Sequence, residues 1–162
     1  MLSVISVRDP AIDWEAMTEQ EKWEYAETRA LEKVKIKPGE QPVIYKLREM
    51  PFFLWAGGAV SANRTTVDFS IAFRACLMSV TDLRDKRDPS KYAAGEQELQ
   101  RPNGEALLDL RTVEDKFEPA IMLEIGAVAY ERSLFPSATG RRFPLLPFCR
   151  EHLERMRFRT AA

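Results

Sequence analysis

Hydrophobic and polar positions change period several times along this chain. After an irregular opening over residues 1–17, Thr18, Glu19, Gln20 and Glu21 have the form of a capping box, a hydroxyl that caps free N–H groups and a glutamate that reaches back. Behind it Trp23, Ala26, Ala30, Leu31 and Val34 recur at helical spacing, with Glu24, Glu27, Arg29 and Glu32 expected to face away. This predicts an amphipathic helix over 18–33. Alternation follows: Val34 and Ile36 among lysines, then Val43, Tyr45 and Leu47 beside Lys46 and Arg48, with Pro38 and Gly39 between. That pattern predicts a β-hairpin over 33–48 with one apolar face, which needs helices to lie on.

The segment from Pro51 to Val60 is the most apolar, and Gly57 and Gly58 weaken the helix it could form at 51–62. Beyond Thr65 or Thr66, a stripe of Phe69, Ala72, Phe73, Cys76, Leu77 and Val80 predicts a helix over 66–81. A polar loop is expected over 84–105. Thr112 to Asp115 suggests another helix cap, and Ile121, Met122, Ile125, Val128 and Ala129 predict a helix over 119–134, with Glu124 and Glu131 outward. Phe73 and Ile125 are expected where the two central helices meet. The expected fold class is mainly α with a small β-hairpin, a compact helical domain over 18–135, followed by a Pro/Arg-rich segment over 136–162.

Length and composition fit this frame. The 162 residues suffice for one domain with its own core, and 45% hydrophobic with 30% charged residues is a globular balance. A formal charge of −1 supplies no global field for nucleic acid or an anionic membrane, so neither is an expected partner. The opening lacks a basic n-region, and no apolar run approaches the roughly 18 residues of a membrane span, so a cytoplasmic location is expected.

Candidate chemistry is sparse. His152 is the only histidine, and Cys76 and Cys149 stand far apart, so no zinc or nucleophile–base spacing is present and no metal, cofactor or catalytic residue is expected. Asp82, Asp85 and Asp88 could be imagined around a cation, but the spacing lacks the glycine and terminal glutamate of a calcium loop, and basic residues interleave. A solvated charged loop is the plainer reading. Glu114 and Asp115 read as helix N-terminal charges. There is no phosphate-cradling glycine motif. Phe52, Phe53, Leu54 and Trp55 surround a whole helical turn, which means either full burial or apolar area that awaits a partner. The arginines at 141, 142, 150, 155, 157 and 159 are interleaved with Glu151 and Glu154, as on a solvated or protein-docking helix.

Three phrases in succession carry a resemblance: Lys37 to Met50, a turn running into a strand that ends in Leu47 and Arg48; Ala72, Phe73 and Arg74 leading to Val80 and Leu83; and Glu124, Ile125 and Gly126 leading to Arg132 and Ser133. The succession resembles the tail assembly chaperones of long-tailed bacteriophages and related prophage proteins. The resemblance implies a non-enzyme of the bacterial cytoplasm that coats the helical, hydrophobic tape measure protein until the tail tube polymerises. Other tail proteins and self-association are further partners to expect. Apolar surface near Phe53, Trp55 and Phe69 is the expected contact. A virion structural subunit of the tail or neck, and an uncharacterised enzyme, are the alternative readings.

Overall fold

The computed structural model describes residues 1–49, 68–101 and 104–134. Its elements are β1 (Leu2–Ile5), α1 (Glu19–Thr28), a 3₁₀ turn (Leu31–Lys33), β2 (Ile44–Leu47), α2 (Phe69–Cys76), β3 (Leu77–Thr81), β4 (Glu96–Glu98), α3 (Leu110–Lys116) and α4 (Pro119–Leu134). The strands form one antiparallel sheet in the order β1-β2-β3-β4. The expectation of a mainly α fold is therefore wrong: this is a mixed α/β protein. Its strands are three to five residues long and scattered between helices, too short for a period-2 signal to stand out.

The expected hairpin over 33–48 does not form. Only its second half is a strand, and β2 pairs with β1 on one side and β3 on the other. Ile36 makes a lone bridge to Ile12 instead. The turn itself is present, with Glu40 N–H donating to the Lys37 carbonyl at 3.1 Å and Gly39 at φ 77, a conformation that suits glycine. Register across the sheet sets Val4, Tyr45 and Val80 in one row and Leu2, Leu47 and Leu77 in another, giving an apolar inner face. Ser3, Lys46, Ser79 and Glu98 occupy a row that points the other way.

The helix expected over 66–81 is cut in half. Asp68 caps it by accepting from the N–H groups of Ser70 and Ile71, and at Leu77 the chain passes straight into β3 without a loop. Leu77 and Val80 fit a helical stripe equally well, but here they face the core from a strand. A helix end leaves carbonyls without intrahelical donors, and two arginines take them up. Arg48 Nε donates to the Ala75 carbonyl at 2.9 Å, and one Arg101 nitrogen donates to the carbonyls of Arg74, Ala75 and Leu77 at 3.2, 2.9 and 2.9 Å. Both arginines also donate to the Ala106 carbonyl, tying the 101–108 segment to the same junction. The expected polar loop over 84–105 thus contains β4 and ends in a structural clamp.

The helix over 119–134 forms as expected, and Phe73 and Ile125 are both fully buried. Here α2 crosses α4 at Gly126. A Cβ on that glycine would collide with the Phe69 carbonyl oxygen, so only hydrogen permits the approach. Phe117, at the end of α3, completes the centre by an edge contact with Phe73 at 5.2 Å between ring centroids. The α3 cap is Asp109, whose side chain accepts from Thr112 N–H; Thr112, Glu114 and Asp115 lie inside the helix and do not cap it.

A second apolar cluster gathers Ile5, Val7, Ile12, Trp14 and Met17 around Tyr25 and Ala26 of α1. The Thr18–Glu21 capping box is present, but α1 stops at Thr28, where Arg29 turns left-handed at φ 54. Its buried face is Lys22, Tyr25, Ala26 and then Arg29, whereas Trp23 is only partly covered. Arg29, expected outward, is 2% exposed, and Glu124, expected outward, is 0% exposed. They form an ion pair at 3.0 Å. The same carboxylate accepts from Val7 N–H at 2.7 Å and from the Ser6 hydroxyl, so it pins the opening segment, α1 and α4 together.

Candidate binding cleft

Beside this ionic knot the surface opens into a cleft of about 290 Å³. Its position follows from local chain preferences. Asp9 precedes Pro10 in a turn and is buried, its carboxylate accepting from Ala11 N–H at 2.9 Å and from Val43 N–H at 2.8 Å. Arg84, just past β3, reaches Asp9 at 3.5 Å and the Gln41 carbonyl at 3.0 Å. The segment before α1, the start of β2 and the loop after β3 are thereby fixed around one hollow. Val43, Tyr45 and Phe117 are its buried floor, Leu83 and Ile121 its half-buried walls, and Arg8, Lys86 and Lys116 stand exposed at its mouth. Asp85 and Glu118 line it from the acidic side.

Tyr45 is the unusual member. The residue is 4% exposed, its ring packs against Phe117 at 6.1 Å, and its hydroxyl makes no hydrogen bond among the described residues although it lines the hollow. Burial pushes its ionisation above the usual phenol range, and the charges of Glu124, Asp9 and Glu118 push the same way against Arg84. The phenol is a neutral donor and acceptor held in apolar surroundings, in a field that is negative on balance.

A shallower hollow of about 420 Å³ adjoins it and shares residues 83–86 and Lys116. Tyr92, one of the few large hydrophobic side chains left exposed among the described residues, stands on its far side with Lys91 and Asp115. The three aspartates considered for a cation are spent on the loop itself. Asp82 accepts from Gly95 N–H at 2.8 Å, Asp85 from Arg87 N–H at 2.8 Å, and Asp88 from Ser90 N–H at 3.3 Å while pairing with Lys91 at 3.7 Å. Among the described residues no cluster of three or more His, Cys, Asp or Glu is arranged to hold a metal ion. Burial pushes the Cys76 thiol up to about 12, as befits a core residue.

Of the contact residues expected from sequence, Phe53 and Trp55 lie outside the described residues, as do the helix expected at 51–62, Cys149, His152 and the 136–162 segment. Phe69 is half buried at the start of α2, its ring 6.0 Å from that of Tyr130. It is not part of the cleft. Tyr45 carried no mark in the sequence beyond its place on an alternating apolar face. Asp9 next to Pro10 was the one signal of a built turn, and its partners, Val43 and Arg84, could not be read from it. Among the described residues, no helix is long and apolar enough to cross a membrane.

No family model, curated protein or solved structure matches the chain.

Proposed function

We propose that the chain is a non-catalytic binding protein of phage tail assembly, which holds the helical, hydrophobic tape measure protein in the bacterial cytoplasm until the tail tube forms. The observation that carries the binding role is the cleft: an apolar floor of Val43, Tyr45 and Phe117, ringed by charged side chains from separate elements. Such a hollow suits an apolar anchor offered by an amphipathic helix, with the rim holding the polar flanks. The choice of client rests on the three phrases at 37–50, 72–83 and 124–133. Although the fold is mixed and not helical, the last two of these phrases fall on α2, β3 and α4, the elements that build the centre of the molecule.

The test is co-expression with a tape measure protein encoded beside this chain. The expected outcome is a soluble complex that co-purifies, with the client aggregating when the chain is omitted. A client equally soluble alone, with no complex formed, overturns the reading.

A further inference from the structure

The sheet ends at β4 in an edge that pairs with nothing among the described residues. Leu99 N–H donates to the Met78 carbonyl and Asp82 N–H to the Gly95 carbonyl, so Gly95, Gln97 and Leu99 are the residues that bond across to β3. The N–H and C=O groups of Glu96 and Glu98 therefore point away from the sheet. A second free edge lies at residues 34–37. Asp13 N–H donates to the Lys35 carbonyl and Lys37 N–H to the Ala11 carbonyl, on either side of the Ile12–Ile36 bridge. That pattern turns the N–H and C=O of Ile36 outward. Among the described residues these outward groups of Ile36, Glu96 and Glu98 have no hydrogen-bond partner.

The two edges match. Each runs exposed, half-buried, exposed: Lys35, Ile36 and Lys37 on one, Glu96, Gln97 and Glu98 on the other. Charge on a strand edge normally keeps edges apart. Here lysine repels lysine and glutamate repels glutamate, so repulsion leaves only the mixed pairing. The outward groups also set its direction. With the segments parallel, Ile36 lies opposite Gln97, donating its N–H to the Glu96 carbonyl and accepting from Glu98 N–H. Glu96 N–H then reaches the Val34 carbonyl, Lys35 stands beside Glu96, and Lys37 stands beside Glu98. An antiparallel arrangement would set Ile36 against a glutamate and leave both lysines opposite uncharged residues. Pro38 has no N–H to offer the Glu98 carbonyl, so the ladder stops there.

We propose that residues 34–37 of one copy of this chain add in parallel to the free edge of β4 in a second copy, with Lys37 paired to Glu98 across the contact. Lys35 and Glu96 already pair with Glu21 and Lys46 at 3.1 and 3.8 Å, whereas Lys37 and Glu98 have no ionic partner among the described residues. The contact joins unlike surfaces, so each copy keeps one free edge of each kind and association runs head to tail beyond a dimer. It is short, and hence weak and reversible. It needs no client and stands apart from the assembly role above.

The experiment is sedimentation of the whole chain from about ten micromolar to about one millimolar, with amide hydrogen exchange followed at Ile36 and Glu98. Average mass should rise with concentration and fall back in high salt, and exchange at both amides should slow as the mass rises. Lys37→Glu and Glu98→Lys, both at exposed side chains, should each weaken association roughly threefold to tenfold. An equal mixture of the two variants should restore it, because unlike charges face each other again. A small share of Lys37→Glu added to the wild type should shorten the assemblies, since that variant keeps only its β4 edge. A chain that stays monomeric throughout, or that associates equally well in both variants, overturns the proposal. Rescue of Lys37→Glu by Glu96→Lys and not by Glu98→Lys overturns the parallel register. Protection of the Glu98 amide only in a complex with the client assigns this edge to that partner and overturns the second copy as its occupant.

Discussion

Around Phe73 the chain packs sheet, α2 and α4 into a dry centre, where Gly126 lets two helix backbones touch and Phe117 closes the gap. Around Tyr25 the opening segment and α1 build a smaller cluster, and what ties it to α4 is a carboxylate that serves Arg29, Ser6 and Val7 at once. The first region is held by volume and shape, the second by charge accounting in a place water does not reach. Apolar packing fails in proportion to the atoms removed. A buried ion pair fails abruptly when one partner goes, yet replacing both partners by apolar groups can be neutral or better.

The largest expected effects test that contrast directly. Phe73→Ala and Glu124→Ala should each cost about 3–5 kcal/mol in denaturant unfolding, the first by leaving a cavity and the second by removing the carboxylate that Arg29, Ser6 and Val7 share. The double substitution Arg29→Met with Glu124→Leu should recover much of the second loss. If it is no more stable than Glu124→Ala alone, the knot works through its hydrogen bonds to Ser6 and Val7 and not through charge balance.

Next in size is Gly126→Ala. The added methyl meets the Phe69 backbone, which cannot rotate away, so α2 and α4 must separate at a cost of about 1–3 kcal/mol. A Tm unchanged from wild type would mean that the crossing is looser than its geometry. Smaller again is Thr18→Ala, expected to lose about 1 kcal/mol by opening the α1 capping box, with hydrogen exchange rising at Glu21 and in the second cluster before the first. Uniform exchange across both clusters would show that they unfold as one unit.

The smallest expected effect is in pH. Glu131 lies on α4 two turns beyond Glu124, and burial pushes its carboxyl up to about 7 although the Arg29 charge pulls it down. Its value in the unfolded chain is near 4.5, so between about 4.5 and about 7 the native state binds the extra proton. Stability contributed by the protonated form is therefore full below the unfolded value and lost as pH rises through the folded one. Thermal melts should fall gently across that window, and Glu131→Gln should flatten the slope. An identical slope in the variant would assign it to other groups.

The two regions were not equally legible. The α4 helix could be read to its ends because sixteen residues of 3.6-residue period outvote any local ambiguity, and Phe73 with Ile125 followed from the same stripes. The α2–β3 boundary could not, because positions 73, 76, 77 and 80 satisfy a helical stripe whether or not the chain leaves the helix at Cys76. The clamp that ends it comes from Arg48 and Arg101, distant in sequence. In the cleft, the apolar character of Val43 and Tyr45 was visible in the alternation, but the distant residues that join them there, Asp9, Arg84 and Phe117, were not.

By itself the sequence determined what local physics controls: the capping box at Thr18, the turn at Gly39, the length of α4 and the apolar faces that had to be covered. Tertiary structure alone decided which strand β2 would pair with, where α2 would stop, and which way Arg29 and Glu124 would point. The reason is one of range. Caps, turns and helical stripes are satisfied within a few residues, whereas a charge reads as solvent-facing until its partner is known. Arg29 and Glu124 stand 95 residues apart in the chain, and only folding makes them neighbours.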